Sequence, residues 1–433
     1  ERRKFDTIYS VLKNDWYYSD SVKDLDEELT ENAINGMTQL EQDSHTNYFD
    51  LESAQQFASE LEGSNVGLGF SYYKDDQGDV LIREVFMNSA AYEAGLQAGD
   101  TLVRLDDKRC RDLSEEELVS YIQSREGENI DLVYVRQGEE IKTKGVPSSY
   151  DTSVALRLLD QAGYISVNSF SEQTGTEFAD AMQEIKKAGK ESLILDLRGN
   201  SGGYLYSTLE VASSLLPADS VVFVEQTKDQ KKAEKRTTDD FSPVKMKKIV
   251  ILQNGKTASA SEALIGALKE NLKDSVVTVG TTTYGKGTEQ TQVSFPDGTS
   301  LKYTIAQWLT PSSKSIHLKG FKPDIKIKTE AFRSVGYRDF EEGEVIKKDT
   351  VHENAEALQV YLKYLGYEVD RTDEYFSIQS ARALAQFQQE HKLPATGDCD
   401  ETCWDTLQGA LMKKMNEQGL NGDRQIQKAL DQC

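Results

Sequence analysis

Two stretches of the chain hold residue types that could do covalent chemistry. In 254-NGKTASASEALIGAL-268, Thr257, Ser259 and Ser261 alternate with alanines just ahead of a run of helix formers. In 279-VGTTTYGKGTEQ-290, Lys286 sits between Gly285 and Gly287. A serine hydroxyl is a weak nucleophile until a base takes its proton, and only 4 histidines are present to do so. Lysine can take that role when burial strips its ammonium of water, since desolvation favours the neutral amine. The two glycines would let the backbone press against a neighbour and bury the amine. Each residue also has an ordinary use. Ser259 or Ser261 could cap a helix, with Glu262 completing a capping box, and Lys286 could be a solvated turn residue.

The same lysine stretch partly matches a phosphate-binding loop, with Gly280, four residues, Gly285 and Lys286. Gly287 replaces the hydroxyl residue that would hold magnesium, and 291-TQVSF-295 continues as strand where that loop needs a helix. Nucleotide binding is not expected. A zinc site built from 399-CDETC-403 and His391 departs from the usual tight ligand spacing. No metal and no cofactor are expected.

The elements around these residues place them. The apolar run 248-KIVILQ-253 reads as a strand entering the loop 254-NGKTAS-259, and 260-ASEALIGALKENL-272 has helical periodicity. Ser259 then stands at or near a helix N-terminus, where free N–H groups and the positive end of the dipole stabilise a developing oxyanion. Strands such as 163-GYISV-167, 192-SLILDL-197 and 275-SVVTV-279 alternate with helical patterns over residues 148–331, which predicts an α/β core. Residues 1–64 have helical spacing, residues 65–147 break into short β-rich runs, 332–350 is a charged linker, and 351–433 is again helical. A multidomain α/β chain is expected, in keeping with its 433 residues.

A net charge of -23 argues against a nucleic-acid partner, because phosphate binding needs a clustered basic surface. No apolar run approaches the roughly 18 residues of a membrane span. The chain opens at Glu1 without a charged-then-apolar leader, which leaves export undecided at this end. Cys110, Cys399, Cys403 and Cys433 are too few for a disulfide scaffold, although one bridge within the last 35 residues stays open.

The segment around Ser259 and Lys286 resembles the catalytic core of the C-terminal processing peptidases, the Ser/Lys peptidases of family S41. The stretches that carry this resemblance are 44-SHTNYF-49, 163-GYISVNSFSEQT-174, 195-LDLRGNSGG-203, 258-ASASE-262, 284-YGKGTEQ-290 and 310-TPSSKSIHLKGFKPD-324, all in family order. The resemblance implies Ser259 as nucleophile, Lys286 as base and Gln290 as the residue that orients Lys286. It places no histidine at the reacting atoms. For the oxyanion hole it suggests the Ala260 N–H with that of Gly202 or Gly203. Thr257 stands where the family has a serine, and Tyr284 where it has a phenylalanine. His45 falls in a motif similar to the family's helical assembly region, which admits a homodimer.

The β-rich module resembles a PDZ domain, with Gly67, Leu68, Gly69 and Phe70 as the loop that captures a terminal carboxylate while the peptide adds as a strand. By the same resemblance Arg125 relays peptide binding to the protease core. The tail resembles a peptidoglycan-binding module through 357-ALQVYLKYLGY-367 and 381-ARALAQFQQEHKLPATGDCD-400, although 373-DEYFS-377 departs from the usual DGxFG. Together these imply a serine endopeptidase outside the cytoplasmic membrane, acting on protein substrates with free C-termini next to peptidoglycan. The tail is expected to locate the enzyme and to be dispensable for cleaving a soluble peptide. The competing class is a non-catalytic scaffold that recruits partners through its PDZ and wall-binding modules.

Overall fold

The computed structural model describes the chain except residues 63–64, 75–77, 87–88, 98, 126, 137, 148, 151–152, 339, 342 and 419–421. The domain boundaries expected at 64 and 148 lie outside the described residues. The α/β core expected over residues 148–331 is built on a six-stranded sheet. Its order is Val154–Leu158, Gly163–Val167, Ser192–Asp196, Lys248–Gln253, Val276–Gly280 and Ile325–Lys326. The first pair is antiparallel and the rest are parallel. All five residues of Ser192–Asp196 are buried, as expected for a parallel strand covered on both faces.

Successive side chains on such a strand point to opposite faces. Leu193 and Leu195 pack with Ile249 and Ile251 against the helices Thr174–Lys187, Leu205–Ser213 and Ala260–Leu272. Ile194, Val250 and Leu252 face the other way, together with Tyr164 and Val279. What covers that second face is the end of the chain. Helix Arg424–Leu430 lays Ile426 and Ala429 on it. Asp423 caps the helix by accepting the N–H groups of Gln425 and Ile426. Asp423 and Gln425 also receive the buried Arg198 guanidinium at 2.8 and 3.0 Å, while Arg198 is paired with Asp196 on its other edge.

This closing helix corrects the division of the last third of the chain. Residues 423–433 serve the α/β core as well as following the tail, so removing 350–433 would strip Ile426 and Ala429 from one face of the core sheet. The segment 332–350 is not a free linker either: Phe332, Phe340 and Ile346 pack into the tail's own cluster with Leu358, Phe376 and Trp404. Its charges hid those apolar positions. Arg338 pairs with Glu344 and with Glu353 at 2.9 Å, which fixes the segment against the tail.

A second sheet stands beside the first. The long strand Ser300–Leu309 pairs on one side with Thr288–Ser294, and on the other with Asn47–Phe49 and Val221–Thr227, the last of which also pairs with Lys232–Arg236. The N-terminal region is therefore not only helical. Between its helices Leu25–Thr38 and Leu51–Glu62 it inserts one strand into the core, with Asn47 opposite Lys302.

Residues 70–147 form a β-module around a cluster that includes Ile82, Leu102, Leu118 and Ile130. Phe70–Lys74 is the outer strand of its sheet, paired among the described residues with Val80–Val85 alone. The tail helix Glu401–Gln418 lies against that outer strand.

Candidate active site

The loop from strand Val276–Gly280 to strand Thr288–Ser294 carries Lys286 from the first sheet to the second. Its glycines are sterically required. A Cβ on Gly285 would come within 2.8 Å of the Gly320 and Lys319 nitrogens, and one on Gly287 within 2.9 Å of the His317 Cβ. The loop is thus pressed against residues 316–320, and the Lys286 amine is partly buried as a result.

Ser259 precedes helix Ala260–Leu272 in a left-handed conformation, φ 53° and ψ -116°, that residues with a side chain rarely adopt. The three hydroxyls named above have different fates. Thr257 Oγ1 donates to the Leu197 carbonyl at 2.8 Å, and Ser261 Oγ donates to the Asn200 carbonyl at 3.2 Å; both residues are fully buried. Those two stitch the loop at 257–261 to the strand and loop at 197–200. Ser259, 7% exposed, faces a cleft of about 750 Å³ that Lys286 and Gln290 also line. No Ser259 Oγ–Lys286 Nζ hydrogen bond is formed among the described residues.

One carboxylate holds both groups in place. Glu262 is fully buried, and its Oε2 accepts the Ser259 N–H at 3.0 Å and the Lys286 N–H at 2.8 Å. Its Oε1 accepts the Gly285 N–H at 2.7 Å and the Thr283 hydroxyl at 2.5 Å. Burial pushes the Glu262 carboxyl above its usual range, and these four donors pull it back toward the carboxylate. Sequence reasoning saw this residue only as a cap partner. The signal that could have found it is a glutamate on a helix buried from Ala260 to Leu268, since such a charge is kept only with partners.

Burial lowers the Lys286 pKa from its ordinary value; the neighbouring Lys302 ammonium adds to that shift, while Asp43 and Glu262 oppose it. Gln290 lines the cleft with its Nε2 donating to Thr288 Oγ1 at 2.9 Å and Thr304 Oγ1 at 3.2 Å, not engaged with Lys286. Phe57, from the N-terminal helix Leu51–Glu62, lines the same cleft. Lys302 also lines it, from strand Ser300–Leu309. Neither was singled out in the sequence.

The glycine loop 199–203, in which the oxyanion hole is expected, packs against Ser259. Gly202 lies close behind Ser259, a Cβ there being 2.8 Å from the Ser259 Cβ and 3.1 Å from the Ala260 nitrogen. Its N–H is already donated to Asn200 Oδ1 at 2.8 Å. Gly203, at φ 140°, has room for no side chain because the Phe170 carbonyl oxygen would stand 2.2 Å away.

The β-module's loop residues have structural partners of their own. Gly69 adopts φ 80°, and its carbonyl accepts the Phe86 N–H at 2.9 Å and the Ser89 hydroxyl at 3.1 Å. Leu68 is buried in the module's core, and Phe70 opens the outer strand. Arg125 is not brought to the cleft. It is held within its own module by Asp106 at 3.7 Å, Glu128 at 3.0 Å and the Asn129 carbonyl at 3.2 Å.

Comparison with known proteins places this geometry in a family. The model of peptidase family S41 matches residues 161–327, a PDZ model residues 81–136 and a peptidoglycan-binding-domain model residues 351–407. The carboxy-terminal processing protease CtpB of Bacillus subtilis is 32% identical over 440 residues, covering 99% of this chain and 88% of that protein. CtpA of the same organism is 31% identical over 440 residues, covering 99% and 90%. Among solved structures, a photosystem II D1 C-terminal processing protease is similar at a TM-score of 0.42 and 21% identity, over 75% of this chain and 92% of that one. With relatives aligned across nearly its whole length, the chain belongs to the S41 carboxy-terminal processing serine proteases, here with a PDZ and a peptidoglycan-binding domain.

Proposed function

We propose that Ser259 is the nucleophile and Lys286 the general base of an endopeptidase acting outside the cytoplasmic membrane. The observation that carries this reading is the single Glu262 carboxylate that fixes the backbones of both residues at one cleft. Neutral Lys286 takes the Ser259 proton as Oγ attacks a peptide carbonyl. The resulting ammonium passes that proton to the leaving amine, and the acyl-enzyme is then hydrolysed by a water that Lys286 deprotonates. The oxyanion is received by the N–H groups of Ala260 and Gly203. Of the two glycines considered, Gly203 is favoured because the Gly202 N–H is occupied by Asn200. Gln290 orients the Lys286 amine by turning its Oε1 toward it.

The loop Gly67–Phe70 and the outer strand Phe70–Lys74 receive the C-terminal end of a substrate, and Arg125 reports that binding from its place beside Asp106. The tail domain keeps the enzyme at peptidoglycan.

Peptide hydrolysis and labelling by a serine-reactive fluorophosphonate test the catalytic assignment. Ser259→Ala is expected to abolish both with the fold intact, whereas Ser261→Ala retains labelling. Labelling of Ser259→Ala at the wild-type rate would refute it.

A further inference from the structure

The cleft holds two lysines, and only one of them can serve as the base. Lys302 reaches it from strand Ser300–Leu309, with its ammonium 4.9 Å from the centre of the Phe49 ring and 4.7 Å from that of Phe57. Those rings pack on each other at 5.2 Å. Phe49 lies on the strand that pairs beside Lys302, and Phe57 on the helix that follows, so the N-terminal region builds this aromatic seat. Aromatic faces stabilise a cation, whereas burial destabilises one. The two environments therefore differ in which amine keeps its proton, which is how paired titratable groups come to have separate roles.

Resting on the Ser259–Lys286 reading, we propose that Lys302, seated on Phe49 and Phe57, is a positioning residue whose fixed positive charge keeps the Lys286 amine unprotonated and ready to act as base. The charged groups facing Lys286 are Lys302, Asp43 and Glu262, with His45 beside it, Glu289 lining the same cleft, and His317 packed on its loop, where Nδ1 accepts the Gly287 N–H at 3.3 Å. Asp43 and Glu262 attract a proton to Lys286, so the neighbouring cation offsets them. Asp43 is itself held by the Thr46 hydroxyl at 2.6 Å and the His45 N–H at 3.0 Å. The N-terminal segment thus supplies both the seat for the cation and an opposing anion.

The sign of the effect follows. Removing the Lys302 charge favours protonated Lys286, so the rise of activity with pH moves to higher pH. The experiment is the pH profile of kcat/KM and of fluorophosphonate labelling at Ser259 for wild type, Lys302→Met, Lys302→Gln, Lys302→Arg and Phe57→Leu, each checked for an unchanged melting temperature. On the acidic limb the two neutral variants are expected to be about tenfold slower than wild type and to regain its rate at alkaline pH. Lys302→Arg keeps the wild-type profile, and Phe57→Leu falls between. A profile that coincides with wild type in both neutral variants overturns the proposal, and so does a loss of rate that is uniform across pH, because that would mark a merely structural role. Lys286→Arg run alongside separates the two ideas. If it is inactive while Lys302→Met leaves the limb in place, Lys302 is refuted and the Ser/Lys reading stands; if it is active, both are refuted.

Discussion

Substitution of Ile426 by alanine tests whether the end of the chain is part of the protease core. Ile426 is 3% exposed and packs with Tyr164, Ile194, Val250, Leu252 and Val279, all of them core-sheet residues more than 140 positions upstream. Truncating a buried isoleucine to alanine costs about 2–5 kcal/mol through lost burial and the cavity left behind. A loss of about 3 kcal/mol, against a denaturant slope of about 3 kcal/mol per molar urea, lowers the midpoint by about 1 M. That is a large fraction of the roughly 5–15 kcal/mol by which domains are stable. Trp308 is fully buried in the core and reports on it by fluorescence, while Trp16 and Trp404, which lie in the N-terminal region and the tail cluster, are removed as Trp16→Phe and Trp404→Phe in both proteins compared. If Ile426→Ala shifts only the unfolding of the tail, leaving the Trp308 midpoint within about 0.2 M of the parent, the closing helix does not stabilise the core and the reasoning fails.

Lys286→Arg is expected to eliminate hydrolysis at every pH, since a guanidinium stays protonated; any turnover above background by this variant in a peptide assay would count against Lys286 as base. A lysine whose folded pKa is depressed destabilises the fold below that pKa, and the penalty fades as pH rises toward the unfolded value of 10.5. Lys286→Met is therefore expected to melt higher than wild type near neutral pH, with the gain shrinking toward pH 10.5; a lower melting temperature in neutral buffer would contradict this. Glu262→Gln replaces one acceptor oxygen by an amide that faces two donors, so a kcat loss of about a hundredfold is expected, with destabilisation of about 1–3 kcal/mol; stopped-flow acylation and calorimetry measure the two. A peptide with a free apolar C-terminus is expected to bind the β-module far better than its amide, and more weakly in the full chain than in residues 65–147 alone, because helix Glu401–Gln418 lies along the receiving strand; titration calorimetry decides it.

The proposed Ser259–Lys286 pair stood out in the sequence because its signals are local. A small-residue loop between an apolar strand and a helix announces Ser259, and glycines on both sides announce a pressed Lys286. Choosing among Thr257, Ser259 and Ser261 was not a local matter: the bonds that occupy the other two run to carbonyls at Leu197 and Asn200, about 60 residues away in the chain. Glu262 shows the same limit. Its cap to Ser259 spans 3 residues and could be read from the sequence, while its bonds to Thr283, Gly285 and Lys286 span 21 to 24 residues and depend on the fold. The α/β core followed from alternating strands and helices. The strand Asn47–Phe49 did not, because 3 residues carry too little periodicity and their pairing with Ser300–Leu309 is long-range. Helix Arg424–Leu430 has 7 residues and a single large buried apolar side chain beside Ala429, too little for sequence pattern to assign it to a sheet formed far upstream.

That last helix sets an order of events. A chain that emerges from its N-terminus delivers the strands Gly163–Val167 to Val276–Gly280 first, and Arg424–Leu430 only after the tail domain has appeared. Until then the face bearing Ile194, Val250 and Leu252 lacks the cover of Ile426 and Ala429, and the Arg198 guanidinium, one residue ahead of the glycine loop beside Ser259, lacks its contacts with Asp423 and Gln425. The tail domain is accordingly anchored at both of its ends, by the packed segment after Ile327 and by Asp423. It can be neither removed nor left unfolded without uncovering part of the core sheet, so the stability of the core is tied to the module that follows it.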